Sequence, residues 1–352
     1  MKNTSLLRTI FCTHHNYWTA LLAVMFIFQT CHASDSWDEE GERRAKSAGV
    51  NLVGNPAPDV TLTSIDGNAI NLGDLYSKKP IYLKFWTTWC VPCRQQMPGF
   101  VEIHKEFGND LEVIAINTGF ADTATAVRAY RKEHKLTMPI VIDDGSLASA
   151  LNIRVTPQHV VIDRSGVISH VGHLDNKELH TALQNAVVEE SKVRVSTAKL
   201  SGLTAYKVGD QVNDLKLSLL DGTEINLAKP DVNPRALVFF APWCEWYLAE
   251  SLPEISKACQ RVLGDAERLM WQDAVEWVGV SSGLWVTESD LVEYKKSSKR
   301  DLPLVHDAND SLFQAFGIRD IPSIVLLDAK GRVAKILGPD DTNLEEAITA
   351  LK

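Results

Sequence analysis

The sequence carries one pattern twice, about 155 residues apart. Val53-Gly54, Asp66-Gly67 and Ile70-Asn71-Leu72 return as Val208-Gly209, Asp221-Gly222 and Ile225-Asn226-Leu227, each offset by 155. Trp89-Cys90 returns as Trp243-Cys244 at an offset of 154. Pro157 and the Asp163 to Gly166 run return as Pro322 and the Asp328 to Gly331 run at an offset of 165. The second copy therefore holds about 11 extra residues between its cysteine and its proline, expected within Leu263 to Trp277. Solenoid repeats run at roughly 20–50 residues, so a period this long means two duplicated domains. A length of 352 residues suits two domains. They are expected at 50–190 and 204–352, joined by a polar linker at 191–203. Residues 34–49, charged and nearly free of large apolar side chains, read as a flexible lead-in.

Both copies share one order of elements. An extended segment ends at an Asp-Gly turn. An apolar strand follows, Ile81 to Trp86 or Ala236 to Phe240, and then a helix, Gln95 to Phe107 or Leu248 to Leu263. A second buried strand comes next, Leu111 to Asn117 or Val275 to Ser281, followed by another helix. Val160 to Asp163 with Val167 to Val171, and Ile324 to Asp328 with Val333 to Leu337, close each copy as hairpins. Strands alternating with helices before a terminal hairpin predict an α/β fold, each domain a mixed central sheet flanked by helices.

Residues 1–33 differ from the rest. Lys2 and Arg8 are their only formal charges, Ala20 to Phe28 is unbroken apolar sequence, and small residues lie near Cys31-His32-Ala33. That is the layout of a secretory signal, with an uncleaved membrane anchor as the alternative. Without this segment the net charge of −9 becomes −11, and Cys90, Cys93, Cys244 and Cys259 are the cysteines that stay. The expected location is periplasmic or otherwise exported, where disulfides persist. Net negative charge argues against nucleic acid as a partner, because phosphate binding needs a basic surface.

Cys90-Val91-Pro92-Cys93 falls between an apolar strand and a helix. A helix N-terminus offers unpaired N–H groups and the positive end of the macrodipole, both of which favour a thiolate. Cys90 at the helix start is then the attacking thiol, and Cys93, one turn in, resolves the mixed disulfide. Pro92 suits the first turn, where a missing N–H costs little. Three other readings compete. A structural disulfide more often joins distant elements. Zinc needs about four ligands, which no nearby spacing supplies, so no metal is expected. A peroxidase nucleophile would carry proline seven residues earlier and threonine three earlier; Thr87 fits, but Leu83 does not.

From Val53 to Gly172 the sequence resembles thioredoxin-fold thiol–disulfide oxidoreductases of the TlpA/ResA type. The matching residues are Gly54-Asn55-Pro56-Ala57-Pro58-Asp59, the run Phe85 to Arg94 with its W-C-x-P-C-R core, and Met97-Pro98. The resemblance implies two tandem thioredoxin-like domains, and Thr156-Pro157 as a cis-proline loop facing the dithiol and binding substrate. It also implies Trp89 as a packing surface beside the attacking sulfur. No cofactor is implied beyond the redox-active Cys90–Cys93 pair. Two positions depart from the family. Gln96 stands where a glutamate is frequent, and Lys84 stands where thioredoxins keep a buried aspartate. Lys84 either favours a thiolate as a nearby cation or snorkels from a sheet edge. His159 reads as an ordinary strand histidine.

The second copy is degenerate, with Tyr247 in the place of a resolving cysteine. On one continuous helix Cys244 and Cys259 would lie roughly 22 Å apart, beyond the roughly 7 Å limit for a disulfide. Cys259 is therefore expected to be a core residue and Cys244 a free thiol. Cys244, Ile321 and Pro322 would line a second-domain groove. The functional expectation is an exported reductase of client-protein disulfides, recharged by a membrane-linked thiol donor. By resemblance, the clients are those of cytochrome c or copper-site assembly. The alternatives are a disulfide oxidase or isomerase, and a client-binding chaperone acting through the second domain.

Overall fold

The structure is a computed structural model that describes residues 37–76, 78–188, 204–213, 215–229, 231, 233–271 and 275–351. The expected signal at 1–33, with Cys12 and Cys31, and the expected linker at 191–203 lie outside the described residues. Among the described residues no helix is long and apolar enough to cross a membrane.

The first half opens with helix α1 (residues 37–49), the small hairpin β1 (Thr61–Thr63) and β2 (Ala69–Asn71), and the short α2 (Leu72–Leu75). Then come β3 (Ile81–Trp86), α3 (Val91–Phe107), β4 (Glu112–Asn117), α4 (Ala124–Glu133), β5 (Ile140–Ile142) and α5 (Ser146–Ala150). The hairpin β6 (Gln158–Ile162) and β7 (Ile168–Gly172) and helix α6 (Lys177–Val188) complete it. These strands form a five-stranded sheet in the order β5-β4-β3-β6-β7. β3, β4 and β5 run parallel, and β6 and β7 are antiparallel to their neighbours.

The second half repeats the plan with β8 (Lys216–Ser218), β9 (Glu224–Asn226) and β10 (Arg235–Phe240). α7 (Pro253–Met270), β11 (Glu276–Ser282), α8 (Glu288–Ser298), β12 (Leu304–Asp307) and α9 (Ser311–Ala315) follow. β13 (Ser323–Leu327), β14 (Val333–Leu337) and α10 (Leu344–Thr349) complete the regular elements among the described residues. The sheet order is β12-β11-β10-β13-β14, strand for strand the order of the first sheet. The molecule is thus two mixed α/β units of thioredoxin type. Every residue of the central strands β3 and β10 is buried, as expected for strands covered on both faces.

Three expectations need correction. The lead-in is not a flexible tether: residues 37–49 are helical. This helix packs through small residues, so it lacks the large apolar stripe that would mark it. A Cβ on Gly41 would sit 2.5 Å from the His173 ring, and one on Gly49 would sit 2.7 Å from Val171. Only glycine allows so close an approach.

The second correction concerns the extra residues of the second copy. Val91 of α3 directly follows Cys90, whereas α7 starts at Pro253, nine positions past Cys244. Two 3₁₀ turns, Pro242–Glu245 and Tyr247–Ala249, fill that interval. Most of the insertion therefore follows the cysteine directly rather than lying within Leu263 to Trp277.

The third correction follows from the second. Cys244 and Cys259 are not on one helix, because the turns fold the chain back before α7 begins. Their Cα atoms are 6.3 Å apart and they form a disulfide. Cys259 is not a free core thiol, and Cys244 is not available as a nucleophile while the bond stands.

Candidate functional site

β3 ends at the carboxyl end of the parallel strands, and the turn Thr87-Thr88-Trp89 carries the chain to Cys90, the N-cap of α3. Asp122 fixes this turn. Its carboxylate accepts from the Thr88 amide at 2.7 Å, from the Thr88 hydroxyl, and from the Asn117 amide at 2.7 Å. Burial pushes the Asp122 carboxyl above its ordinary value, and these donors oppose that shift. The Trp89 indole N–H donates to the Phe120 carbonyl at 3.0 Å, which sets the ring's orientation.

Cys90 and Cys93 form a disulfide with Cα atoms 5.2 Å apart. The Cys93 amide donates to Cys90 Sγ at 3.1 Å, one of the helix-terminal N–H groups that would stabilise a thiolate there. Thr156-Pro157 is a cis peptide, and it sets the Thr156 carbonyl oxygen 3.2 Å from Cys90 Sγ. In the oxidised pair this sulfur carries no proton, so the approach is a contact. On reduction the same geometry lets a thiol donate to that carbonyl. Thr156 Oγ1 is buried without a hydrogen-bond partner among the described residues.

On the same strand as this turn, β3, Lys84 is 1% exposed. It stands on the central strand, so the sheet-edge alternative is excluded. Its ammonium lies 3.4 Å from the Gln96 carbonyl and 3.5 Å from Gln96 Oε1, above the Phe100 ring at 5.2 Å from the centroid. Burial lowers the Lys84 pKa to about 7, with the Asp175 carboxylate opposing.

His159 pairs with Lys84 across β3 and β6, and both nitrogens of its buried ring are partnered. Its Nε2 lies 3.0 Å from both Gln96 Oε1 and the His173 carbonyl, two acceptors, so Nε2 carries the proton. Nδ1 then accepts from the Tyr82 hydroxyl at 2.7 Å. Burial, then the Lys84 charge, holds His159 well below the usual histidine pKa. Burial likewise raises Tyr82 well above its ordinary value and keeps it a donor. The Gln96 amide also donates to the His173 carbonyl at 3.1 Å, and His173 Nδ1 lies 2.6 Å from the Pro157 carbonyl. One hydrogen-bonded chain therefore runs from α3 through β6 to the cis-proline. Glu42 of α1 anchors it, accepting from the His173 amide at 2.6 Å.

The sequence alone points to Lys84 and Gln96 but not to Tyr82, His159 or His173 as their partners. The Lys84–His159 pairing was readable from strand register, since the two face each other once β3 and β6 are aligned. His173 carries no comparable signal, because it lies just past β7.

In the second half Ile321-Pro322 is also a cis peptide. Cys244, Ile321 and Pro322 are all buried, so they do not line the open groove expected there. Tyr247, in the resolving position, reaches the first site instead. Its hydroxyl accepts from the Val91 amide at 3.1 Å, and Trp243 packs against Trp89. An aromatic groove of about 540 Å³ is left beside the motif, its walls including Trp37, Val91, Pro92, Trp246, Trp285 and Tyr294.

The model of the AhpC/TSA family matches residues 53–171. The thioredoxin-like protein YneN of Bacillus subtilis (strain 168) is 34% identical over 170 residues, spanning 47% of this chain and 96% of its own. The thiol-disulfide oxidoreductase ResA of Geobacillus kaustophilus (strain HTA426) is 31% identical over 137 residues, 38% of this chain and 77% of its own. The chain belongs to the thioredoxin-fold family of ResA-type thiol–disulfide oxidoreductases. Among solved structures it is similar to a putative protein disulfide isomerase from Bacteroides thetaiotaomicron. That match has 30% identity and a TM-score of 0.35, and covers 39% of this chain and 91% of the other. A putative DsbE thiol:disulfide interchange protein from Chlorobium tepidum matches with 26% identity and a TM-score of 0.35, covering 38% and 97%. The second half lies beyond the family model's match; it repeats the sheet order of the first, with Tyr247 in the place of the motif's second cysteine.

Proposed function

We propose that this oxidoreductase is an exported reductase of protein disulfides, with Cys90 as nucleophile and Cys93 as resolving thiol. The Cys90 thiolate attacks one sulfur of a client disulfide, forming a mixed disulfide and releasing one client thiol. Cys93 then attacks Cys90 Sγ, releasing the second client thiol and leaving the Cys90–Cys93 disulfide. The client gains two electrons and two protons, and a membrane-linked dithiol donor returns them to the pair. The cysteines carry the electrons themselves, so the cycle needs no bound cofactor.

The observation that carries this reading is the position of Cys90. It caps α3, accepts the Cys93 amide, and lies 3.2 Å from the carbonyl before cis-Pro157. Thr156, Pro157 and Trp89 are the surfaces a client sulfur would meet there. Lys84 and Gln96 act on the thiols through the buried chain to His159, Lys84 by its charge and Gln96 by holding the chain in register. The leader-like residues 1–33, as a cleaved signal or an anchor, support export. Clients of the cytochrome c or copper-site type are supported by the resemblance to ResA.

The test is trapping. With Cys93→Ser, a client attacked by Cys90 cannot be released, so a disulfide-linked adduct is expected to accumulate and to dissolve on reduction. Cys90→Ser in the same background is expected to trap nothing. Equal adduct from both variants would refute the assignment of roles.

A further inference from the structure

The two halves meet through equivalent surfaces, as in a dimer with a two-fold axis. The Trp285 amide donates to the Arg154 carbonyl at 2.7 Å, and the Ala121 amide donates to the Arg319 carbonyl at 3.0 Å. Arg154 and Arg319 each stand three residues before their own cis-proline. Trp89 and Trp243 each precede the first cysteine of their copy, and their rings pack together in a tilted contact at 5.2 Å. Each indole N–H is held by a carbonyl of its own half, Phe120 or Leu284.

The contact is also polar where the symmetry breaks. The Arg319 guanidinium donates to the Thr118 carbonyl and, at 3.0 Å, to the Asp143 carbonyl of the first half. Tyr247 caps the Val91 amide inside the Cys90–Cys93 motif. α1 closes the seam, with Arg44 paired to Asp290 at 2.7 Å and Trp37 against Trp285.

These contacts fall on the surfaces around the attacking sulfur: Trp89, Val91 and the loop leading to Pro157. Cys90 is left 1% exposed. Thiol–disulfide exchange requires the incoming sulfur to reach the attacked one, so access sets the rate alongside thiol pKa. We propose that the second domain is a built-in cap, seated on the client face of the first domain and held there by Trp243, Tyr247 and Arg319. A client or electron donor engages Cys90 only after the cap moves aside. The loss of a resolving cysteine fits this role, because Tyr247 occupies that position and uses its hydroxyl to dock. This inference rests on Cys90–Cys93 being the working pair.

The test measures how fast dithiothreitol reduces the Cys90–Cys93 disulfide in the oxidised full chain. Samples are quenched in acid, alkylated and mapped by peptide mass, which separates this pair from Cys244–Cys259. Arg319→Ala is expected to raise the rate at least tenfold and Tyr247→Phe about threefold. Arg261→Ala, whose guanidinium binds the Pro339 and Asp341 carbonyls within the second half, is expected to leave it unchanged. Wild-type rates in both Arg319→Ala and Tyr247→Phe, with native circular dichroism, would overturn the cap. Should Arg319→Ala fail to fold, Tyr247→Phe decides alone, since it removes one hydroxyl. An opened variant that is reduced quickly, yet traps no client when Cys93→Ser is added, would refute the oxidoreductase roles and leave the cap standing.

Discussion

The indole of Trp89 packs against that of Trp243 in a tilted arrangement, with ring centroids 5.2 Å apart and an interplanar angle of 35°. The tryptophan beside the first cysteine of each copy has therefore become the partner of its own duplicate. A side chain that would flank a client on a lone domain is buried between two domains. The duplication has two effects here, a second fold and a cover for the first fold's sulfur.

Removing the Cys244–Cys259 bridge should weaken the second domain while leaving the redox pair intact. The cysteines are 15 residues apart in sequence, and closing a loop of that size stabilises by about 3 kcal/mol in the chain-entropy model. Cys244→Ala/Cys259→Ala is expected to lower the guanidinium midpoint of the second domain's transition. Peptide mapping should still find Cys90 bonded to Cys93. An unchanged midpoint would mean that the bridge adds nothing to the fold.

Lys84 makes a pH-dependent stability prediction. Below pH about 7 its ammonium is charged in folded and unfolded chains alike, and the cost of burying that charge is fully present. Between about 7 and the ordinary 10.5 the folded protein has released the proton and the unfolded chain has kept it. Stability from this group therefore rises with pH across that window, by up to about 1.4 kcal/mol per unit. Lys84→Met lacks the titration, so its advantage over wild type should shrink from pH 7 to pH 10 in urea melts. Parallel curves would place the Lys84 titration elsewhere.

Much of this architecture is legible in the sequence, and the misses have specific causes. The repeat, the Cys90–Cys93 pair and the correspondence of Pro157 with Pro322 follow from spacing and residue type, whereas the cis-proline loop facing the dithiol is implied by the family resemblance. The Cys244–Cys259 bridge is hidden when the chain from Cys244 to Cys259 is read as one continuous helix. Pro253 was the available signal, since proline favours the first turn of a helix and here starts α7. The helix at 37–49 was hidden because it buries Ala45 and Ala48 and brings Gly41 and Gly49 into contact, none of them large enough to make an apolar stripe. The seam between the halves leaves no periodic trace, because it is built from turns and side chains that each copy also needs for its own fold.

Asp122 should matter more to the site than its distance in sequence suggests. It holds both the amide and the hydroxyl of Thr88 and the Asn117 side chain. Asp122→Ala leaves those donors buried and unpaired, a cost of about 1–3 kcal/mol, and frees the turn that aims Trp89 and Cys90. A lower melting temperature and slower exchange with oxidised dithiothreitol are expected. Asp122→Asn keeps an acceptor oxygen and should recover part of both. Full activity in Asp122→Ala would show that the turn is held by other means.

The thiols themselves should report Lys84. With Lys84→Met, the loss of a buried cation within the dithiol's supporting chain should raise the attacking thiol's pKa by about one unit. The 240 nm absorbance of the thiolate against pH measures this directly. A pKa unchanged in the variant would confine Lys84 to packing over Phe100.

The reductase assignment is tested most directly by the reduction potential of Cys90–Cys93, obtained by equilibrating residues 34–352 against glutathione buffers. A value near the thioredoxin end of the scale, about −270 mV, is expected for a reductant that draws on a dedicated donor. A value near about −120 mV, that of a strong oxidant, would contradict it and make this a disulfide-introducing enzyme.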